Sequence, residues 1–364
     1  MKHKYRILII VFTFMIFVGG CSLFKLEPSK VMYKTTGTEA EIDGDRILFY
    51  RNGRLKLINF SNGISKEEAS LDVPQYFGGC DISGDVIAWS QLVTDTGDSN
   101  SSLDIEFRNS DVYIYDIKTK EKKQITVDKA SQVNPKLWKN YLIWKDNRND
   151  KTKEYLGKWA LYLYDIKTGE EKCITTTLAV HATYNISDNK IVWEDDRNFL
   201  GEDGIRGGEN LPENNKDIFL YDIETGKEMA IATGSMMESK PDISGKYIVW
   251  EDRNNNSYNA DIVLYNLETN KKINITKDKV NQGTPRISGE NIVWMDERRG
   301  GSTNDVVVNG VEPNSDILIY NIESKIGRIL TGDGPQMYPR ISSSGWITYI
   351  LSRQVDPEVQ VIKY

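Results

Sequence analysis

The chain has 364 residues, with 46 lysines and arginines against 53 aspartates and glutamates, and a formal net charge of −7. This length exceeds the usual size of one compact core, so we expect two domains or an array of repeats. The acidic balance excludes a protein that binds nucleic acid without sequence preference, because such binding depends on lysine and arginine neutralising phosphates.

The first twenty residues differ from the rest of the chain. They begin with a basic stretch, continue with the apolar run 7–18, and end at Gly19-Gly20-Cys21. This order is typical of a secretory signal, and its end resembles a bacterial lipobox, which implies cleavage before Cys21 and a lipid on its sulfur. We predict a lipoprotein signal peptide over 1–20 and a lipidated tether over 21–29, with the protein extracytoplasmic on a cell membrane or outer membrane. An uncleaved N-terminal membrane helix is the alternative.

Residues 30–364 repeat one pattern about seven times, and we predict that they form one domain. The clearest copy contains Pro241-Asp-Ile-Ser-Gly, Ile248-Val-Trp-Glu-Asp, Asp261-Ile-Val-Leu-Tyr and Ile275-Thr. We expect four short strands in each copy, with Ile-Thr at the end of the fourth. The second and third strands are apolar at consecutive positions, so both faces must be covered. The pattern predicts an all-β fold, a β-propeller of four-stranded blades packed face to face.

The number of blades depends on the two ends of the domain. The first repeat, from Ile42 to Gly63, is degenerate, and the last repeat reaches Tyr364 without a fourth strand. The predicted strand Lys30–Thr36 supplies that fourth strand, which removes an exposed edge. We therefore predict seven blades, with the ring closed by pairing of the N-terminal strand with the last blade. Six blades, with the first repeat as an appendage, is the alternative.

Five tryptophans occupy one register of the second strand. A side chain that recurs once per blade is expected in the core between blades, and an aromatic platform for sugars is the alternative interpretation. The five are Trp89, Trp144, Trp193, Trp250 and Trp294.

An aspartate follows four of these tryptophans, and an arginine comes one or two positions after the aspartate. Such an aspartate can accept backbone N–H groups in the turn and pair with the arginine. The repetition favours this structural role, because catalytic sites usually break the symmetry of a repeat. The alternative is a ligand face or an acidic funnel. The candidate residues for it are Asp146, Asp195, Asp196, Asp252 and Asp296.

Long connections between the second and third strands interrupt three repeats, at 91–110, 198–216 and 299–315. Long insertions on one face of a repeat array usually mark the binding face. The acidic, glycine-rich segment 198–216 raises the hypothesis of a calcium loop, although it lacks the Asp-x-Asp-x-Asp-Gly spacing. A solvated loop is the alternative, and we expect no other metal or cofactor.

The assembled repeat resembles the TolB-like and WD40-like Pro-Asp propeller repeats. The resemblance covers about residues 38–364, and Pro241–Trp250 with Asp252-Arg253 carries it. It departs at Ser244-Gly245, where those repeats usually have Ser-Pro-Asp-Gly. The chain also has no room for the α/β domain that precedes the propeller in TolB, so TolB's partners are not implied.

We therefore expect a monomeric, lipid-anchored, non-enzymatic module that binds or scaffolds an envelope protein or a glycan. The alternative is a hydrolase or lyase acting on polysaccharide, with paired carboxylates about 5 to 9.5 Å apart in the funnel. TolB-like oligogalacturonate lyases use a histidine-rich metal site. Because His181 is the one histidine after the signal, this chain cannot build that site. Carboxylates paired with arginines or turn amides would contradict the enzyme hypothesis.

Overall fold

A computed structural model describes residues 15–18, 22–28, 31–61, 64–73, 77–93, 109–150, 159–175, 183–197, 216–234, 237–253, 259–277, 279–298, 315–331, 334–351 and 357–364. The regular structure in these residues is β-strand. Three strands precede the first repeat: β1 (Met15–Val18), β2 (Ser22–Pro28) and β3 (Val31–Thr36).

The remaining strands form antiparallel blades in chain order. Blade 1 contains β4 (Thr38–Asp43), β5 (Arg46–Arg51), β6 (Arg54–Asn59) and β7 (Lys66–Asp72). Blade 2 contains β8 (Phe77–Ser83), β9 (Val86–Leu92), β10 (Ser110–Asp116) and β11 (Lys122–Gln124). Blade 3 contains β12 (Gln132–Trp138), β13 (Tyr141–Asp146), β14 (Ala160–Asp165) and β15 (Glu171–Cys173). Blade 4 contains β16 (Tyr184–Ser187), β17 (Lys190–Asp195), β18 (Asp217–Asp222) and β19 (Lys227–Ala232).

Blade 5 contains β20 (Met237–Ser244), β21 (Tyr247–Arg253), β22 (Asp261–Asn266) and β23 (Lys271–Asn274). Blade 6 contains β24 (Gln282–Ser288), β25 (Asn291–Asp296), β26 (Asp316–Asn321) and β27 (Ile326–Thr331). Blade 7 contains β28 (Gln336–Ile341), β29 (Trp346–Leu351) and β30 (Glu358–Lys363), together with β3.

The structure confirms the seven-bladed propeller and the way in which its ring closes. Strand β3 pairs antiparallel with β30, so that Tyr33 lies opposite Val361 and Lys34 lies opposite Gln360. The six-blade alternative is wrong, because the degenerate first repeat forms a complete blade of four strands. Closure gives the last blade its fourth strand and leaves no unpaired edge at β30.

The segment after Cys21, where we predict a lipidated tether, contains a strand. Strand β2 runs parallel to β27 on the outer edge of blade 6, with Leu26 opposite Ile329, and β1 pairs with β2. The physical reason is the edge itself, since an outermost strand offers a row of backbone N–H and C=O groups that an extended segment can pair with. Cys21 and residues 1–14 lie outside the described residues. Within the described part of the chain, no helix is long and apolar enough to span a membrane.

The five recurring tryptophans belong to the core between blades, as predicted. Each is at most 1% exposed, and each packs against apolar side chains of a neighbouring blade. Trp89, for example, packs with Leu48 and Leu57 of blade 1. Buried on all sides, these indoles offer no surface for stacking a sugar.

The recurring Ile-Thr pair does not end the fourth strand in blades 2, 3 and 5, where that strand stops just before it. The threonine hydroxyl takes over from the strand's backbone as the acceptor for the third strand. It accepts the N–H of Val112, Leu161 or Ile262 at 2.8 to 3.0 Å. The accepting hydroxyls belong, in the same order, to Thr126, Thr175 and Thr276.

Candidate functional site

The predicted site residue Asp195 lies at the end of β17 and is fully buried. Its Oδ2 accepts hydrogen bonds from Nε1 of Trp193 at 3.1 Å and from Nε of Arg197 at 2.6 Å, and its Oδ1 accepts the backbone N–H of Arg197 at 2.8 Å. Arg197 also binds Glu228 at 2.5 Å, and its guanidinium lies 4.1 Å from the centre of the Phe219 ring. The carboxylate therefore links the second, third and fourth strands of its own blade.

Blades 3 and 6 repeat the pairing of this aspartate with an arginine two residues later. Asp146 accepts Nε of Arg148 at 2.8 Å, and Arg148 also binds Glu171 at 2.8 Å. Asp296 accepts Nε of Arg298 at 2.6 Å and Nη2 at 2.7 Å. Burial alone would lower the pKa of Arg148, but the carboxylates of Asp146 and Glu171 raise it above its usual value. These aspartates are engaged by arginine and by turn amides.

Blade 5 departs from the pattern, because its arginine follows one residue after the aspartate instead of two. Nε of Arg253 has no hydrogen-bond partner among the described residues, and Nζ of Lys272 binds Asp252 at 2.6 Å instead. Oδ1 of Asp252 and Nε1 of Trp250 also lack a partner in that part of the chain. Glu238 lies directly opposite Asp252 across the β20–β21 pair.

Glu238 is a buried carboxylate in this blade. It is 5% exposed, and its Oε2 has no hydrogen-bond partner among the described residues. Burial, with the nearby carboxylates of Asp252 and Asp217, raises the pKa of Glu238 to about 7. At the same register, blades 3 and 6 have the neutral residues Gln132 and Gln282.

We expect Glu238→Gln to stabilise the protein at pH 8 by roughly 1–3 kcal/mol. The folded pKa of Glu238 is above the unfolded value of 4.5, so its favourable contribution is complete below about pH 4.5 and is lost as the pH rises through about 7. The gain should therefore nearly vanish at pH 4.5. Urea unfolding at both pH values checks this, with the exposed Glu121→Gln as control. An equal gain at both pH values would contradict it.

Other predicted site residues contribute less. Asp196 is buried directly after β17. Most of the candidate calcium loop, 198–215, lies outside the described residues, as do His181 and most of the other two insertions. Within the residues that the structure describes, no group of three or more histidine, cysteine, aspartate or glutamate side chains is arranged to hold a metal ion.

A cavity of about 560 Å³ lies on the propeller axis and is lined by the innermost strands. Each blade contributes the side chain at one register position, the variable residue of the Pro-x-Ile-Ser pattern, which we call the x position. These seven side chains are Glu41, Asp81, Lys136, Asn185, Asp242, Arg286 and Arg340.

A β-bulge in the innermost strand positions the x side chains. Two residues before x, six of the seven blades have a residue with positive φ, such as Asn134 (φ 55°), Lys240 (φ 52°) and Thr284 (φ 50°). The strained backbone is held by the preceding blade: Oε2 of Glu194 accepts the N–H of Lys240 at 2.7 Å, and Oε1 of Glu251 accepts the N–H of Thr284 at 2.5 Å. The bulge is therefore a feature of blade-to-blade packing.

Aspartate at the x position also joins neighbouring blades. Oδ2 of Asp81 accepts the N–H of Leu137 at 2.8 Å, and Oδ2 of Asp242 accepts the N–H of Ile287 at 2.8 Å. Nδ2 of Asn185 donates to the other oxygen of Asp242. Burial and the neighbouring Glu41 raise the pKa of Asp81 to about 6, although Lys136 opposes the shift.

The serine two residues after the x position also contacts the next blade, near the turn that ends the strand. Oγ of Ser83 accepts the N–H of Lys139 at 3.0 Å, and Oγ of Ser244 accepts the N–H of Gly289 at 3.0 Å. In Asp-Ile-Ser-Gly, both polar side chains thus hold the next blade. Aspartate at x therefore joins its blade to the next one, and the cations of the cavity, Lys136, Arg286 and Arg340, come from blades that lack it.

Glu41 and two cations break the symmetry of the ring. Glu41 binds Nζ of Lys136 at 2.8 Å and Nε of Arg340 at 2.8 Å, so blades 1, 3 and 7 meet across the cavity. Burial would raise the pKa of Glu41, but Arg340 and Lys136 hold it well below its usual range. Burial would lower the pKa of Lys136, but Glu41 and Asp81 raise it. These three side chains neutralise one another in part.

Arg286 is different. Its Nη1 donates to the carbonyl of Pro285 at 2.9 Å, and no carboxylate of the described residues lies within 4.0 Å of its guanidinium nitrogens. Burial in the cavity and repulsion from Arg340 lower the pKa of Arg286. One side of the cavity therefore holds a cation whose charge is not matched by an ion pair.

Sequence reasoning missed this ring, because it searched the long insertions and the Trp-x-Asp motif. The signal was present in the repeat itself. Aligning the innermost strands of the seven blades shows that x changes from aspartate to lysine, arginine, asparagine or glutamate, while the next residue is always isoleucine or leucine. A position that varies in charge inside a regular repeat marks the place where symmetry breaks.

Several solved structures are similar to this chain. The β-propeller domain of the Trilobed protease from Pyrococcus furiosus matches with a TM-score of 0.61 and 13% identity, covering 90% of this chain and 95% of that chain. The tricorn protease matches with a TM-score of 0.59 and 13% identity over 90% of this chain, which spans about a third, 34%, of that protein. An oligogalacturonate lyase in complex with manganese matches with a TM-score of 0.57 and 12% identity, covering 95% of each chain.

These likenesses establish the propeller fold and nothing finer, because their identities lie far below the level at which function is shared. TolB structures also match, with TM-scores of 0.49 and 0.46, too low to support an argument. No protein-family model and no curated protein matches the chain.

Proposed function

We propose that this chain is a non-enzymatic binding module of the cell envelope that holds a partner protein in its central cavity. The observation that carries the proposal is how the seven x side chains around the cavity are paired. Its carboxylates are already engaged by cations, amides or Asn185, while the cation Arg286 is not paired. An envelope glycan is the alternative partner.

The same carboxylates speak against the enzyme alternative. A hydrolase or lyase acting on polysaccharide needs two carboxylates free to act as acid and base. Glu41 is paired with Lys136 and Arg340, and both oxygens of Asp81 accept backbone amides. Glu39 lines the cavity and has a pKa raised by burial and by Glu41, but one acid does not make the pair. Turnover of polysaccharide that is lost in Glu39→Gln would favour the enzyme.

Photocrosslinking tests the binding role. A benzoylphenylalanine at Ser343, which is exposed and lines the cavity, is compared with one at Lys167, an exposed turn residue away from the cavity lining. After irradiation of intact cells, we expect a specific envelope protein attached through Ser343 and none through Lys167. Equal products from both positions, or none from Ser343, would contradict the proposal.

The anchor is a separate part of the proposal. We propose that a lipid on Cys21 holds the propeller at the outer side of a membrane, which follows from the lipobox-like residues 19–21. The protein should then enter the detergent phase of a Triton X-114 extract, and Cys21→Ala should move it to the aqueous phase. Partition that does not change in Cys21→Ala would contradict lipidation at this residue.

A further inference from the structure

We infer that Arg286 anchors the partner by a carboxylate, the side chain of an acidic residue in a peptide segment that enters the cavity. The inference rests on the proposed function, because it assigns the chemistry of the ligand to the same cavity. It goes further by naming one residue of this chain and one functional group of the partner.

Blades 6 and 7 both contain the tetrapeptide Pro-Arg-Ile-Ser, which places Arg286 and Arg340 at the same register. In blade 7, Arg340 binds the carboxylate of Glu41 through Nε at 2.8 Å and Nη2 at 3.2 Å. The position therefore presents a guanidinium in a geometry that accepts a glutamate side chain with two hydrogen bonds.

In blade 6, no carboxylate of the described residues takes this place. The guanidinium of Arg286 makes one hydrogen bond, to the carbonyl of Pro285, so most of its donors are unused within the described residues. Asp242 is the carboxylate that acts most strongly on Arg286, but it already accepts the N–H groups of Ile243 and Ile287 and the amide of Asn185. A carboxylate from outside the chain would meet donors that the protein leaves available.

The electrostatics agree with this geometry. The groups that act on Arg286 are Arg340, which repels it, and the carboxylates of Asp242, Glu41 and Glu251. Burial and Arg340 outweigh those carboxylates, so the pKa of Arg286 is lowered. An added carboxylate would relieve this unfavourable charge, as Glu41 does for Arg340.

The lining favours a peptide over an acidic glycan. The five repeated indoles are buried between blades, and the described cavity wall contains a single tryptophan, Trp138, which stacks on Tyr141. Sugar rings are usually held on open aromatic faces, whereas this wall offers ionic side chains, hydroxyls and backbone. Arg340, which is equivalent to Arg286 in blade 7, binds the side chain of a glutamate, Glu41.

Titration of Arg286 with a small probe tests the contact directly. The full chain, labelled with ¹⁵N-arginine and held in detergent, is titrated with N-acetyl-glutamate N-methylamide, and the Nε–H signal of Arg286 is identified by its absence in Arg286→Met. We expect a saturable shift of that signal, and none with the neutral glutamine analogue. Equal shifts with both probes, or no saturation, would overturn the inference. Tighter saturation by oligogalacturonate would overturn the peptide assignment.

The Ser343 crosslink separates this inference from the function on which it rests. We expect Arg286→Met to lower the yield of the crosslinked partner by about 10- to 100-fold, because a charge-assisted pair is lost, while Lys167→Met leaves it unchanged. Arg286→Lys, which keeps the charge without the planar fork, should fall between them. Unchanged yield in Arg286→Met overturns the inference and leaves the binding module intact. No product in the wild type contradicts both.

Arg286→Met should also fold normally. The guanidinium makes no ion pair with the described residues, and methionine fills similar space without an uncompensated charge. We expect a midpoint of thermal unfolding equal to or above that of the wild type. A large drop would mean that Arg286 has a structural role, which would overturn its assignment as a ligand contact.

Discussion

Asp195→Ala is expected to lower the free energy of unfolding by about 3–5 kcal/mol, the range for removing one member of a buried ion pair. The substitution leaves Arg197 without its buried partner and removes the acceptor of Nε1 of Trp193. Arg197 is 15% exposed and the Asp195 side chain is 0% exposed, so water cannot replace these bonds at low cost. Urea unfolding measures the change.

The control is another aspartate–arginine pair in the same protein. Asp72 binds Arg54 at 2.8 Å, but the side chains are 83% and 52% exposed. Asp72→Ala should therefore cost less than about 1 kcal/mol. If Asp195→Ala were as mild as Asp72→Ala and also abolished the Ser343 crosslink, Asp195 would be a ligand residue, and its structural assignment would be wrong.

Glu41→Gln should have the second large effect, a loss of about 2–4 kcal/mol of stability at pH 7. The change leaves Lys136 and Arg340 together in the cavity without their shared carboxylate. The folded pKa of Glu41 is below its unfolded value of 4.5, so its contribution is present above that pH and declines as the pH falls. The difference from wild type should shrink by about 1.4 kcal/mol for each pH unit below 4.5.

Glu67→Gln is the matched control for this prediction. Glu67 binds Lys56 at 2.9 Å, but the two side chains are 47% and 27% exposed. The substitution should change stability by less than about 1 kcal/mol. Glu41→Gln should also bind the glutamate probe more tightly, because it adds net positive charge to the cavity. Weaker binding would show that Glu41 contributes to ligand recognition by contact.

The architecture was largely predictable from the repeat. Runs of apolar residues on strands such as Ile248-Val-Trp250 require cover on both faces, and this requirement together with the repeated four-strand unit selects blades packed around an axis. Closure was predictable because a strand was available at 31–36 and a blade lacked one. The parallel pairing of Ser22–Pro28 with β27 was not, because any extended segment can pair with an open strand edge and its composition does not reveal which edge.

The candidate site was less predictable, because the contacts that define it are made between different blades. The sequence shows that Asp252 and Arg253 are adjacent, but not that a spacing of one residue prevents the pairing made by Asp195 and Arg197. Likewise, Asp242 and Arg286 occupy one register, yet one accepts the neighbouring blade's amide and the other faces the cavity. Which x residues hold the frame depends on distances across blade boundaries that no single repeat encodes.

Two variants test whether the x residues divide into those that hold the frame and those that bind the ligand: Asp242→Ala and Arg286→Met. The unfolding free energy and the yield of the Ser343 crosslink are measured for each. Asp242→Ala should lose stability, because Ile287 and Asn185 lose their acceptor, whereas Arg286→Met should keep its stability and lose the crosslinked partner. Loss of stability in Arg286→Met, with the partner retained, would contradict the division of the ring into frame and ligand site.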